Sequence, residues 1–217
     1  RRVRDFAQIK GDGDIDKITL NAQQKAVFRW VDDNRESIDK LEVYTRGGSE
    51  LWFHGLRADD VDIDMAGNSY VYFDTYMRAM EEDTILVATS HANVDGEFVI
   101  VDADSNDTYE VAYKVEGNVT TQTRDNIEYY VIADANTEMY YLINDMNIIT
   151  AGTADIEATD AAIMNLTANL KGNSTASFWI FGSISGEGNG SSILNYTGAS
   201  DIIINYNIIG SASIFKM

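Results

Sequence analysis

The chain has 217 residues, with 35 acidic and 16 basic side chains and a formal charge of −19, and it contains neither cysteine nor proline. Disulfide staples, thiol nucleophiles and cysteine-type zinc sites are therefore excluded. The acidic balance argues against nucleic acid as a partner, since phosphate contacts need a basic face. No apolar run is long enough to cross a bilayer as a helix, so no transmembrane segment is expected.

The length suits one domain with a sizeable core. Without proline, corners fall to Gly, Asn, Asp and Ser, which tolerate or supply positive φ. The first residue is Arg1 rather than methionine, as expected of a chain processed or trimmed by loss of a signal peptide or anchor.

In chain order, Phe6 and Ile9 open a first strand, followed by a Gly-Asp turn and then Ile15, Ile18, Leu20, Val27, Phe28 and Trp30. A polar loop over Asp32–Ser37 leads into KLEVYT, where Leu41 and Val43 point inward. After Gly47-Gly48, Leu51 and Phe53 point inward again. The segment DVDIDM is the clearest alternation, with Val61, Ile63 and Met65 on one face and Asp60, Asp62 and Asp64 on the other. Gly67-Asn68-Ser69 turns the chain into Tyr70–Phe73. The good helix formers of Thr75–Asp83 predict the one short helix. Further strands are expected at Ile85–Ala88, Glu97–Val101, Tyr109–Val115 and Ile127–Ala133, with an acidic loop at Asp102–Asp107.

From Leu166 to Phe215, short alternating runs recur between Gly-Asn-Ser, Gly-Ala-Ser and Gly-Ser-Ala corners. Over the overlapping stretch 162–171, Ala162, Met164, Leu166, Ala168 and Leu170 are expected on one face, opposite Ile163, Asn165, Thr167, Asn169 and Lys171. A period of two that returns after each small-residue corner is the pattern of one unit stacked on copies of itself. The predicted fold is all-β: a single β-solenoid (β-helix-like) domain over 1–217, with Gly/Asn/Ser corners, at most one short helix and an insertion around 75–110.

Four features resemble the auto-transporter adhesin, or head GIN domain, family of secreted and lipid-anchored bacterial proteins. They are Phe6-x-x-Ile9 before a Gly-rich turn; Leu41-Glu42-Val43-Tyr44 followed by Leu51-Trp52-Phe53; Val61 through Ser69; and the corners Gly172-Asn173-Ser174 and Gly198-Ala199-Ser200. Residues 75 to 150, more aromatic and acidic, depart from it. The resemblance implies a β-solenoid, a cell-surface setting and an adhesive role, with no catalytic residues to carry over.

Several motifs bear on chemistry. Asp12-Gly13-Asp14-Ile15-Asp16 begins like an EF-hand calcium loop, but Lys17 and Gln23 stand where glycine and glutamate are required. The plain reading is an acidic turn, and a looser calcium site on Asp12, Asp14 and Asp16 is the one cofactor expectation. Asp102, Asp104 and Asp107 are read in the same way, as an acidic turn or a looser calcium site, and the row Asp60, Asp62 and Asp64 as a solvated face or, alternatively, a cation site or acid/base pair. His54 and His91 are the only histidines, read as surface or structural residues or, alternatively, as a base with a neighbouring Asp. No nucleophile elbow accompanies them, since Gly182-Ser183-Ile184-Ser185-Gly186 has isoleucine at the nucleophile position. Gly186-Glu187-Gly188-Asn189-Gly190 lacks the lysine of a phosphate loop. Trp30, Trp52 and Trp179 are core residues or, alternatively, a sugar-stacking platform. Asn-x-Ser/Thr sequons at Asn106, Asn118, Asn165, Asn173, Asn189 and Asn195 are either glycosylation acceptors or turn residues.

The functional expectation is an exported, extracellular, non-enzymatic structural or adhesive protein. It self-associates into an oligomer or filament, with Ile202–Ile204 and Ile208-Ile209 as a docking end and surface glycans as a second class of partner. The alternatives are a carbohydrate-binding module, a virion fibre or tail protein, and a polysaccharide-degrading β-helix enzyme.

Overall fold

Side chains that alternate inward and outward need a covered face, and this chain covers its own by coiling. The computed structural model describes residues 15–31, 37–80, 84–87, 90–94, 97–103, 110–124 and 127–217. The fold is a β-solenoid of about seven turns. Coil one comprises β1 (Ile15–Gln24) and β2 (Val27–Val31). Coil two comprises β3 (Ile38–Gly47) and β4 (Glu50–His54), and coil three β5 (Ala58–Gly67) and β6 (Tyr70–Asp74).

The chain then leaves the stack through β7 (Tyr76–Met80), β8 (Thr84–Val87), β9 (Ser90–Val94), β10 (Glu97–Ala103) and β11 (Glu110–Arg124). It returns along β12 (Ile127–Gly152), a strand shared by the two parts. Coils four to six are built from the end of β12, from β13 (Asp155–Leu170), β14 (Thr175–Gly188) and β15 (Ile193–Gly198). Coil seven is β16 (Ile203–Ile208) and β17 (Ser213–Lys216).

Every ladder between coils is parallel, and the register is continuous except in β13, where it slips against β14 and β6. Asp60 pairs with Lys40 on one side and Asp145 on the other, so coil four lies on coil three although 85 residues separate Gly67 from its partner Gly152. Pairings in the excursion are antiparallel: β9–β10, β10–β11, β11–β12, and β7 and β8 against β12. The excursion runs from Tyr76 to Tyr141 of β12, well past residues 75–110.

The short helix expected over Thr75–Asp83 is not formed: Tyr76–Met80 is strand, and no helix occurs among the described residues. The local preference of Met77, Arg78, Ala79 and Met80 gives way to the ladder that β12 offers, from Thr137↔Met80 to Tyr140↔Tyr76.

One corner repeats through the whole stack. Gln24, Gly47, Gly67, Gly152, Gly172, Gly190 and Gly210 lie one above another with φ between 61° and 95°. Close approach explains the glycine. A β-carbon on Gly67 would stand 2.5 Å from the Gly47 carbonyl oxygen beneath it. Two residues on, Ser49, Ser69, Ser174 and Ser192 are buried. Ser69 and Ser174 donate their hydroxyls back to the carbonyls of Ala66 and Lys171, at 3.3 and 3.1 Å. The Gly-x-Ser signature is thus a turn closed by a buried hydroxyl.

Gly198-Ala199-Ser200 belongs to a different corner, since Gly198 stacks over Ile180 at the far end of β15. The counterpart of Gly172-Asn173-Ser174 in that coil is Gly190-Ser191-Ser192.

Inside, like stacks on like. Leu41, Val61, Met146, Leu166 and Ile184 form one fully buried column. Phe53 and Phe73 lie face to face with centroids 4.7 Å apart. Burial of each such side chain stabilises the fold by about 1.5–3 kcal/mol.

The expected face of Ala162 and Met164 requires correction. The ladder slips between Ile163 and Asn165, so Ile163 joins the solenoid core. Ala162 and Met164 instead pack outside it with Ala112, Tyr140, Leu142, Trp179 and Phe181. This second cluster anchors the excursion: Trp179 meets Tyr140 and Phe181 edge-on at 5.2 and 4.9 Å.

Candidate functional site

Coil seven is the last of the described coils. β16 pairs only with β14, and β17 only with β15, among the described residues. Their outer N–H and C=O groups form a free strand edge. The side chains at this end are apolar. Ile204 continues the inward column of Ile184 yet is 45% exposed, where Ile184 itself is 0% exposed. Ile208 likewise follows Gly188 and is 47% exposed. Ile203 is 71% exposed and ends an outward column that is polar or charged in the coils below, with Asp60, Asp145, Asn165 and Ser183. Phe215 and Met217 are exposed beside them.

Terminal repeats of a solenoid normally carry a polar outer face; coil seven is built as an interior coil. Between Gly188 and Met217 only Asp201 and Lys216 are charged. Tyr206 stacks over Gly186, and its ring occupies the space that the missing side chain of Gly188 leaves open. Its hydroxyl is buried without a hydrogen-bond partner among the described residues, and burial, with Glu187 nearby, pushes it up to about 12.

A second surface lies on the outward side of coils two to four. Trp52 of β4 packs against Tyr70 and Tyr72 of β6, with centroids 5.1 and 5.5 Å apart, and His54 stacks alongside at 6.3 Å. Carboxylates rim these rings. The Tyr70 hydroxyl donates to Glu157 at 2.8 Å and the Tyr72 hydroxyl to Asp160 at 3.2 Å. Asp74 holds His54 Nδ1 at 2.9 Å and accepts the Gly55 N–H at 2.7 Å. Burial, reinforced by Glu157 at Tyr70 and by Asp74 and Asp160 at Tyr72, pushes both phenols far above their ordinary range. They therefore remain hydrogen-bond donors. Asp155, Glu157 and Asp160 have no ion-pair partner among the described residues.

Of the three tryptophans, only Trp52 faces outward. Trp30 packs against the solenoid core and Trp179 is buried under the excursion. The grouping was missed because Glu157 and Asp160 stand 87 and 88 positions from Tyr70 and Tyr72. No local pattern reports a pairing that the excursion separates.

The acidic row of β5 is cross-braced. Lys40 binds Asp62 at 2.6 Å and Arg46 binds Asp64 at 2.8 Å, each two positions along from its direct neighbour, and Lys17 reaches Glu42 in the same way at 2.5 Å. Burial pushes Asp62 upward, but hydrogen bonds from Lys40 and Asn147 outweigh it and hold the carboxyl low. Asp60 is left opposite Asp145, and burial together with that like charge raises it.

Asp12 and Asp14 lie outside the described residues, and Asp16 is an exposed residue of β1. Among the described residues no three His, Asp or Glu side chains gather to hold a metal. Asp102 sits in β10, while Asp104 and Asp107 lie outside the described residues, as does the side chain of His91 in β9.

Of the sequons, Asn106 and the side chain of Asn118 lie outside the described residues. Asn165 accepts a hydrogen bond from Ser183 at 2.9 Å and Asn195 donates to Ser177 at 3.2 Å, so both belong to an outward Asn/Ser ladder. Asn173 is exposed at its corner and Asn189 half-buried at the next. No helix among the described residues is long and apolar enough to cross a membrane.

The chain matches no protein-family model, and no curated protein matches its sequence.

Proposed function

We propose that this protein is a non-enzymatic structural or adhesive element of a cell surface, exported and assembled by docking through coil seven. One observation carries the reading: the last coil of a chain with charge −19 presents a free strand edge flanked by exposed Ile203, Ile204, Ile208 and Phe215. An apolar strand edge of this kind is completed by strand addition or by stacking of another body. The acid-rich outer faces keep the remainder solvated. The excursion, anchored by Trp179 and Tyr140, is the part held clear of the stack for contact with other surfaces.

Protease treatment of intact source cells tests the setting. The protein is expected to be cleaved while cytoplasmic markers survive; full protection until lysis refutes the surface reading.

A second reading, binding of surface glycans, is favoured by the outward rings of Trp52, Tyr70 and Tyr72 beside the carboxylates of Glu157 and Asp160. Glycan-array binding that disappears in Trp52→Ala supports it, and an array without signal rejects it.

A further inference from the structure

The assembly reading leaves open what covers coil seven. We propose that its occupant is coil seven of a second copy, giving a closed two-fold dimer in place of an open head-to-tail filament. This rests on the docking role given to that coil above.

The first line of support is the corner stack. Each glycine there has its Cβ direction aimed at the coil that precedes it. A β-carbon would lie 2.8 Å from the carbonyl oxygen below at Gly47, 2.5 Å at Gly67, 2.9 Å at Gly152 and 2.7 Å at Gly190. Real β-carbons do not approach backbone oxygen so closely. Among the described residues coil one alone breaks the rule, with Gln24 at φ 61°. Its β-carbon points away from coil two, to the side on which coil seven of a head-to-tail copy would have to sit. A second copy arriving head-to-tail in the parallel register would bring its Gly210 carbonyl against the β-carbon of Gln24. Head-to-tail growth would seat coil seven of one copy on coil one of the next, and Gln24 obstructs that contact.

Tail-to-tail contact meets no such obstruction. The Cβ direction of Gly210 points back toward Gly190, with 3.3 Å to that carbonyl, so neither copy aims a corner side chain at the other. The contact is isologous and closes on itself.

Charge gives the second line of support. Copies of a chain with charge −19 repel over most of their surface. From Gly188 to Met217 the side-chain charges are Asp201 and Lys216, one of each sign. Among the described residues this end combines near-neutrality with exposed Ile204, whose counterparts Met146, Leu166 and Ile184 are buried in the interior coils, and with exposed Ile208, which follows buried Leu170 and Gly188.

Sedimentation velocity on the full chain provides the test. The expected result is a plateau at twice the 24.1 kDa chain mass as concentration rises. The double variant I204K/I208K should weaken association by about a hundredfold or more, since two ammonium groups would be desolvated in each copy. Both positions are already exposed, and an unchanged far-ultraviolet spectrum checks the fold. Gln24→Gly should leave the plateau at two copies.

Species that grow without limit overturn the closed dimer, and so does a dimer that survives I204K/I208K. Monomers at every concentration overturn the pairing too, but leave the surface setting to be judged by protease accessibility alone.

Discussion

Replacing Gly67 with alanine tests the corner stack directly. Two costs add. Alanine at a φ of 89° lies beyond the left-handed basin near 57°, and holding a residue with a β-carbon there costs about 1–2 kcal/mol. The new carbon would also stand 2.5 Å from the Gly47 oxygen, 3.0 Å from its nitrogen and 3.1 Å from its Cα. Backbone that must shift to admit one extra carbon costs about 1–3 kcal/mol. The sum is about 2–5 kcal/mol, which in a chain of this size lowers Tm by about 4–20 °C.

Gly210→Ala is the internal control. Its φ of 73° carries a similar conformational cost, but the carbon meets the Gly190 oxygen at 3.3 Å and coil seven has no coil above it to resist relaxation. The expected loss is about 1–2 kcal/mol. Urea unfolding followed by circular dichroism measures both. Equal losses in the two variants, or a loss at Gly67 below about 1 kcal/mol, would show that the spacing of the corners does not govern which residue they accept.

Three further outcomes are expected. Asp60→Asn should raise Tm near pH 7 and leave it unchanged near pH 3, because burial and Asp145 lift the folded-state carboxyl above its unfolded value, so ionisation costs stability as pH rises through that range. An equal gain at both pH values would assign the effect to packing. Thr150→Val should cost about 1–3 kcal/mol, since Thr150 Oγ1 meets Ser174 Oγ at 2.6 Å in a buried setting and accepts the Lys171 N–H at 3.2 Å; in T150V/S174A the two losses should fall short of additivity. In material from the native source, glycopeptide mass spectrometry should find any glycan at exposed Asn173 rather than at Asn165, whose side chain is held by Ser183; a glycan on Asn165 alone would refute exposure as the selector.

Legibility in the sequence followed the range of each interaction. Val61, Ile63 and Met65 against Asp60, Asp62 and Asp64 are read correctly because alternation is local and each coil imposes it again. The same rule fails at Ala162 and Met164, where a slip in the ladder turns two residues away from the solenoid core and toward Trp179. The helix expected at Thr75–Asp83 fails for a related reason: its pairing partner, around Thr137, lies some sixty positions away and outweighs propensity. The apolar end at Ile202–Ile204 was visible as composition. That it belongs to the last of the described coils follows only from the order of stacking.

That order also links the proposed dimer to the proposed adhesive role. The excursion leaves the stack between coils three and four, four coils from the open end. With about 4.8 Å between coils, a tail-to-tail pair separates the roots of its two excursions by eight spacings, roughly 40 Å. Rigid ladders fix that separation, so a surface offering sites at the same interval would be gripped twice for one orientation cost, whereas randomly spaced sites would be gripped once. A monomeric variant such as I204K/I208K would keep each single contact and lose the multiplication. Adhesion to a dense surface should therefore fall far more steeply than binding to an isolated site, and parallel losses in the two assays would mean that coil seven itself touches the target.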